Sequence, residues 1–160
     1  MKISTKNLKK EDSEMLNVML HCIGDFERIS DYACNLCDSA RELQQKNMQF
    51  SPKAETELDI LSSAVREAVD ISFDAFKSNN KNEADKVEPL EELIDTLAVE
   101  LKARHIRRLR EGKCTIELGF AHSDILNNLE RVADHCSNIA VDVIQSDQLE
   151  FDAHEYLDRI

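Results

Sequence analysis

Apolar residues recur every three or four positions through most of this sequence, and very little interrupts them. Only 3 of the 160 residues are glycine and 2 are proline. Both residues are common in the turns that join strands, so a sheet protein of this length would need more of them. A spacing of three or four residues is the period of a helix with one buried face, whereas alternating strand patterns are missing. The sequence therefore predicts an all-α protein.

The helical pattern divides into four long segments with short connections between them. We predict helices over about residues 8–48, 52–77, 83–110 and 115–145. Neighbouring helices joined by short loops run in opposite directions, so the pattern predicts an antiparallel helix bundle. A length of 160 residues suits a single domain with its own core, and we predict one domain over residues 1–160.

Proline and glycine mark the ends of these predicted helices. A serine followed by Pro52 is typical of a helix start, and Gly112 is typical of a helix end. Pro89 lies in the opening turns of the third helix, whose start could therefore be as late as Glu88. Gly24 is a position where the first helix could bend.

One apolar stripe on each helix is predicted to face the core, and the apolar residues near the C-terminus are predicted to dock on the bundle. The stripe residues are Phe26, Ile29, Ala33, Leu36, Ala40 and Leu43; Leu61, Val65, Ala68, Ser72 and Phe76; Leu90, Leu93, Ile94, Leu97, Leu101 and Ile106; and Leu118, Ile125, Leu129, Val132, Cys136, Ile139 and Val143. The docking residues near the C-terminus are Phe151, Tyr156, Leu157 and Ile160.

The charge balance and the cysteines exclude several functions. The formal net charge is -12, from 20 Lys and Arg against 32 Asp and Glu, which argues against nucleic-acid binding. No run of about 18 apolar residues predicts a membrane span, and the charged N-terminus does not resemble a signal peptide. Cys34 and Cys37 have the spacing of a redox or zinc pair, but they fall in the middle of a helix.

An eleven-residue acidic pattern occurs twice, as FERISDYACNL at 26–36 and LERVADHCSNI at 129–139. Each copy has a Glu and an Asp four residues apart, Glu27 with Asp31 and Glu130 with Asp134, and each ends with Asn before an aliphatic residue. Residues four apart lie about 40° apart around a helix, so each pair shares a face directed away from the apolar stripe. Such a pair of like charges destabilises a helix slightly unless something offsets the repulsion.

Three partners could offset the repulsion, and the pattern alone leaves all three open. The neighbouring arginines could pair with the aspartates, a cation could bind to both carboxylates, or a basic surface of another protein could dock there. Sites made of carboxylates alone suit Mg, Ca, Mn or Fe. Two weaker acidic pairs, Glu91 with Asp95 and Glu55 with Asp59, lack the rest of the pattern.

Motifs of catalysis are absent, and one basic segment stands out. No Gly-rich phosphate loop or nucleophile elbow occurs, and the Glu-x-x-His motifs of di-metal bundle enzymes are missing. We expect His135 to be half-buried rather than a metal ligand. Lys102–Lys113 contains six basic residues in twelve and complements the C-terminal dipole of the third helix. It could also contact an acidic partner or lipid headgroups near a membrane.

The repeated pattern resembles the signature of the PhoU family, in which a leucine, Glu-Arg, an aliphatic residue, Gly, Asp and His precede an Asn. Ser30 and Ala133 stand where the family usually has Gly. The segment VEPLEELIDTL at 87–97 is similar to the other acidic helix of the family and places Glu91 and Asp95 on its second motif. The resemblance implies regulation of phosphate uptake and metal clusters of iron, with zinc or nickel as further candidates, on surface carboxylates. It assigns metal binding to Glu27, Asp31, Glu91, Asp95, Glu130 and Asp134.

The order of the motifs resembles the last helix of one family repeat followed by a complete second repeat. This arrangement is similar to the cytoplasmic C-terminal domain of sodium-phosphate cotransporter family proteins. The resemblance therefore implies a cytoplasmic domain tethered to the inner membrane, with the transmembrane transporter region of the same protein as its partner and a homo-oligomer as a further candidate assembly. It implies no enzymatic activity. The alternatives are a structural dimerisation or partner-docking module without metal and, less favoured, a di-metal carboxylate enzyme.

Overall fold

The computed structural model describes residues 10–146, and the regular structure in that range is entirely helical. The elements are α1 Lys10–Gln45, α2 Pro52–Ser78, α3 Lys81–Ala84, α4 Val87–Arg110 and α5 Ile116–Ile144. The prediction of an all-α bundle of about four long helices is confirmed. None of the helices in the described range is long and apolar enough to cross a membrane. The docking predicted for the residues near the C-terminus falls outside the described range.

The ends of the helices follow from local capping chemistry. Ser51 Oγ accepts a hydrogen bond from the backbone N–H of Ala54 at 3.3 Å, and Pro52 is the first residue of α2, as predicted. The third predicted helix is divided into the short α3 and the long α4. Because α4 begins at Val87, Pro89 lies in its first turn, where the missing N–H costs no hydrogen bond.

Helix α5 is the centre of the bundle, because it packs against α1, α2 and α4. It contributes the fully buried side chains Leu126, Ile139 and Val143 to the core. In the described residues no Cα atom of α1 lies within 8 Å of a Cα atom of α4. The ring of Phe26 on α1 makes edge-on contacts with two phenylalanine rings of α2, at centroid distances of 5.0 and 4.8 Å.

Two parts of the predicted core are less buried than the sequence predicts. Leu93 and Ile106 of α4 are about half exposed, because the buried face of that helix runs through Val87, Ile94, Ala98, Leu101 and His105. The stripe on α1 is mostly partly buried or exposed, with Ile29 as its one buried member and with Ala33 and Ala40 exposed. Helix α1 lies at the edge of the bundle, so its apolar face is covered less completely than the faces of α2 and α5.

Gly119 marks a close approach of α5 to α4. A Cβ atom at this position would lie 3.2 Å from Leu109 Cδ1 and 3.3 Å from His105 Nε2. The His105 ring cannot easily move away, because it stacks on the His122 ring at a centroid distance of 4.1 Å. We therefore expect Gly119→Ala to lower the free energy of unfolding by about 1 kcal/mol, as overpacking does. Urea unfolding followed by circular dichroism at neutral pH would measure the change.

Gly24 supplies the matched control. It lies inside the continuous helix α1, and a Cβ atom there would meet nothing within 4 Å. Gly24→Ala should therefore raise the free energy of unfolding by about 0.5–1 kcal/mol, through helix propensity alone. Equal stabilisation by both substitutions would contradict the close approach at Gly119.

Candidate metal site

Two carboxylates of α4 and one of α5 meet in the groove between these helices. Glu91 and Asp95 are four residues apart and therefore lie one turn apart on the same face of α4. Asp134 faces them from α5, and one oxygen from each of the three side chains lies within 4.8 Å of the other two. We call Glu91, Asp95 and Asp134 the acidic cluster. The weaker acidic pair of the sequence thus meets one member of the repeated pattern.

Burial and neighbouring carboxylates raise the pKa of two members of the acidic cluster, Glu91 and Asp95. Burial, followed by the charges of Asp95 and Asp134, raises the pKa of Glu91 above its usual value. Burial and the charges of Glu130 and Asp134 raise the pKa of Asp95, against the opposing effect of two nearby cations. In both groups the charges of neighbouring carboxylates add to the effect of burial, and a bound cation would favour the ionised forms of Glu91 and Asp95.

The acidic cluster fits a bound cation. One oxygen of Asp95, Oδ1, is buried without a hydrogen-bond donor in the described part of the chain, and an unsatisfied buried acceptor costs about 1–3 kcal/mol. A cation would satisfy this oxygen and reduce the repulsion among the three carboxylates. Because the cluster offers oxygen atoms only, it suits Mg, Ca, Mn or Fe better than a soft metal that prefers thiolates.

The second acidic residue of the α5 pattern, Glu130, lies beside the cluster and is held by a lysine. Lys102 Nζ donates a hydrogen bond to Glu130 Oε2 at 2.6 Å, and both side chains are about one-third exposed. Arg131 Nη1 similarly donates to Asp134 Oδ2 at 2.9 Å. The predicted pair of Glu130 and Asp134 is therefore half-buried in the groove, with one cation on each carboxylate. The sequence assigned Lys102 to a basic run and did not indicate this contact.

The first copy of the pattern presents its carboxylates away from the acidic cluster. Glu27 and Asp31 are exposed on α1. Arg28 Nη1 lies 3.9 Å from Asp31 Oδ2, which makes a weak ion pair across one turn of the helix. No Cα atom of α1 lies within 8 Å of one of α4 in the described residues, and Glu27 and Asp31 do not belong to the group of carboxylates that includes Glu91 and Asp95.

Other residues of the repeated pattern fasten α1 to α5. His135 Nδ1 lies 2.7 Å from Asp25 Oδ1, and Asn138 Nδ2 donates to the same oxygen at 3.0 Å. The His135 ring also stacks on Tyr32 at a centroid distance of 5.7 Å. His135 is half-buried, as expected, and its partner Asp25 was missed because it precedes the pattern by one residue. Part of the pattern therefore encodes helix packing rather than metal binding.

The remaining candidates do not join the acidic cluster. Glu55 and Asp59 are exposed on α2, and Cys34 and Cys37 are free, exposed thiols on α1. The basic run 102–113 does not form one continuous surface, because most of its cations bind to different carboxylates. Its ion pairs are Lys102 with Glu130, Arg104 with Glu57 and Glu100, Arg108 with Glu57, and Lys113 with Glu111.

Comparison with known proteins agrees with this architecture. The chain is 29% identical over 120 residues to the phosphate-specific transport system accessory protein PhoU homolog 1 of Thermotoga maritima, covering 75% of this chain and 51% of that protein. It is 24% identical over 131 residues to the PhoU homolog of Synechocystis, covering 81% of this chain and 56% of that protein. The chain thus spans about half the length of these curated relatives. No solved structure matches it. The family model of the PhoU domain matches residues 58–143, more than half of the chain, and the protein therefore belongs to the PhoU family.

Proposed function

We propose that this protein is a non-enzymatic regulatory module of phosphate transport that binds a metal ion at the acidic cluster. Membership of the PhoU family supports the regulatory role, and both curated relatives are named as accessory proteins of a phosphate-specific transport system. The observation that carries the metal proposal is the meeting of three carboxylate oxygens within 4.8 Å of one another, one of the side chains having a buried and unsatisfied oxygen.

The bound metal would link α4 to α5. Glu91 and Asp95 would supply oxygens from one helix and Asp134 from the other, and the metal would contribute positive charge that offsets their repulsion. A ligand that binds only the folded protein stabilises it by about 2.7 kcal/mol at a concentration 100 times its Kd. Iron, zinc and nickel are the candidates from the family resemblance, and the oxygen-only donor set favours iron among them.

Glu27, Asp31 and Glu130 have secondary roles in this proposal. Glu130 would become a fourth ligand if the metal displaced Lys102 from it. Glu27 and Asp31 offer two exposed carboxylates, and a site there would need donors from outside the described residues, such as those of a second copy in a homo-oligomer. Within the described residues the acidic cluster is the group of three or more potential ligands that lie within reach of one ion.

The partner we propose is the transmembrane transporter region of the same protein, with the helical domain on the cytoplasmic side of the inner membrane. The basic run 102–113 would lie closest to the membrane, because its exposed members Arg107 and Arg110 can approach anionic headgroups. Metal binding would change how firmly α4 and α5 are held together and so alter the surface presented to the transporter.

The metal proposal predicts a loss of binding in Asp95→Asn. This substitution keeps the size of the side chain and removes one carboxylate, so the affinity for Fe²⁺ or Mn²⁺ should fall by at least about tenfold. Isothermal titration calorimetry under anaerobic conditions, with thermal unfolding as a second readout, would measure the change. In native cells, the same substitution in the full-length protein should alter the dependence of phosphate uptake on external phosphate.

Two control variants separate the candidate sites. Glu27→Gln with Asp31→Asn removes the exposed pair on α1 and should leave the binding of the first metal ion unchanged. Asp38→Asn removes an exposed carboxylate that Arg41 holds at 2.6 Å and should have no effect. If Asp95→Asn bound metal as tightly as the unaltered protein, the acidic cluster would not be the site.

A partner-docking module without metal is the second candidate function. Ile116 and Phe120 lie one turn apart on α5 and are 73% and 70% exposed, which is a large apolar exposure for a stable helix surface. Self-association that persists in the presence of a chelator and is lost in Phe120→Ser would favour this function over the metal-binding one.

A further inference from the structure

We propose that a cavity at the opposite end of α4 from the acidic cluster binds a phosphate group. The cavity has a volume of about 410 Å³ and lies between the start of α2, the end of α4 and the turn that leads to α5. Arg107 follows Asp95 by 12 residues, which is about 18 Å along α4 at about 1.5 Å per residue. The proposal therefore concerns a second site and does not depend on metal binding.

The lining of the cavity is basic in a protein that is otherwise acidic. Five of its seven lining residues are Lys53, Arg104, Arg107, Arg108 and Lys113. The carboxylates that bind these cations are those of Glu57, Glu100 and Glu111, which leaves a net charge of plus two. This concentration of positive charge contrasts with the formal net charge of -12 for the whole chain.

Two of the cations are available to a ligand. Lys53 and Arg107 are exposed, and neither forms an ion pair with another residue in the described range. Lys53 is the second residue of α2, where the N-terminal end of a long helix favours an anion. The charge of Arg107 acts on Glu111 without a close ion pair, so Lys53 and Arg107 would both gain from a bound anion.

Two arginines of the cavity are already held in place. The carboxylate of Glu57, which is 5% exposed, accepts a hydrogen bond from Arg104 Nη1 at 3.3 Å and another from Arg108 Nη1 at 2.6 Å. The second terminal nitrogen of Arg108, Nη2, is buried and has no acceptor among the described residues. A charged donor without an acceptor is costly, so an oxygen atom that reached Arg108 Nη2 would stabilise the folded protein. Guanidinium groups fixed in this way bind oxyanions with little loss of side-chain entropy.

The charge and size of the cavity select the class of ligand. A phosphate group carries about -1.5 to -2 charges near neutral pH and has three strong acceptor oxygens, which match the net charge of plus two and the arginine donors. The volume lies at the lower end of the range of small-molecule sites, about 300–1,000 Å³. It therefore admits inorganic phosphate or diphosphate. The phosphate of a lipid headgroup has the same chemistry, and the experiment distinguishes the two sources.

The test is a titration of the full chain with inorganic phosphate and with diphosphate, followed by amide chemical shifts in two-dimensional NMR. A chelator and low salt are used throughout, so that failure of the metal proposal does not affect the result. We expect saturable binding in the millimolar range or tighter, with the largest shifts at the start of α2 and the end of α4. Lys53→Ala with Arg107→Ala should weaken it by at least about tenfold, because two charge-assisted contacts are lost.

The control variant is Arg66→Ala with Lys77→Ala, which removes two exposed cations of α2 outside the cavity and should leave the affinity unchanged. Equal affinity for sulfate would overturn the assignment to phosphate. Vesicles of phosphatidylglycerol and phosphatidylcholine in equal amounts form the second arm. Binding to these vesicles that the cavity variant abolishes, without binding of free phosphate, would identify the lipid headgroup as the source. Absence of binding in both arms would overturn the proposal.

Discussion

Replacement of Arg108 by methionine is expected to lower the free energy of unfolding by about 3 kcal/mol, because it leaves a buried carboxylate without its main partner. The side chain of Glu57 is 6% exposed and that of Arg108 is 15% exposed, and the two are joined at 2.6 Å. In the variant, Glu57 would keep only Arg104, which is 3.3 Å away and 43% exposed. Urea unfolding at neutral pH would measure the change in the free energy.

The pKa of Glu57 explains why Arg108→Met should lower the free energy of unfolding by a large amount. Burial by itself would raise this pKa, but the hydrogen bonds and charges of Arg108 and Arg104 outweigh burial and lower it. A carboxylate with a lowered pKa stabilises the folded state above its unfolded pKa, and this stabilisation is lost as the pH falls through the folded pKa. Without Arg108, burial would dominate, and the charged form of Glu57 would destabilise the fold at neutral pH.

Two variants test whether the effect comes from the ion pair. Arg107→Met changes the preceding, exposed residue in the same way and should alter the free energy by less than about 0.5 kcal/mol. Glu57→Gln combined with Arg108→Met removes both charges and should be more stable than Arg108→Met alone, since no unpaired charge remains. If Arg108→Met were as stable as Arg107→Met, the buried ion pair would make no net contribution.

The example of Glu57 shows what the sequence could and could not predict. The segment ETELD drew attention to Glu55 and Asp59 as an acidic pair, whereas the buried carboxylate is Glu57 between them. Helical periodicity places residue 57 beside the buried Leu58 and Leu61, which is a local signal that was available. Its partners lie 47 and 51 residues later in the chain, and no local pattern identifies them.

The acidic cluster illustrates the same limit. The spacing of four residues correctly placed Glu91 beside Asp95 on one face of α4, because this depends only on the geometry of a single helix. The approach of Asp134, and the contact of Lys102 with Glu130, depend on how far α4 is shifted along α5. Side-chain packing in the core sets that shift, so spacing within one helix cannot predict it.

Acidification from pH 7 to pH 4 is expected to lower the free energy of unfolding by about 3 kcal/mol, because His122 is protonated more readily in the unfolded chain. The side chain is fully buried, its ring stacks on that of His105, and neither of its ring nitrogens has a partner in the described chain. Burial, followed by the charges of His105 and Arg108, lowers the pKa of His122 to about 4, against the smaller opposing effect of Glu57. Between about 4 and the unfolded value of about 6.5 the unfolded chain binds more protons, so stability falls as the pH falls.

The acid response of the whole protein combines this loss with effects of the opposite sign. Burial and neighbouring charges raise the pKa of Glu91, Asp95 and Asp142, so these groups favour the folded state as they become protonated. The quantity to measure is therefore the difference in the free energy of unfolding between the unaltered protein and His122→Leu. This substitution removes the imidazole and keeps an apolar side chain of similar size. The free energy of unfolding of the unaltered protein relative to this variant should fall by about 3 kcal/mol between pH 7 and pH 4. An NMR titration should show that the His122 ring stays neutral above about pH 5. A difference that did not change with pH would mean that His122 is accessible to protons in the folded state, and the stacked pair would then contribute nothing to the acid sensitivity of the bundle.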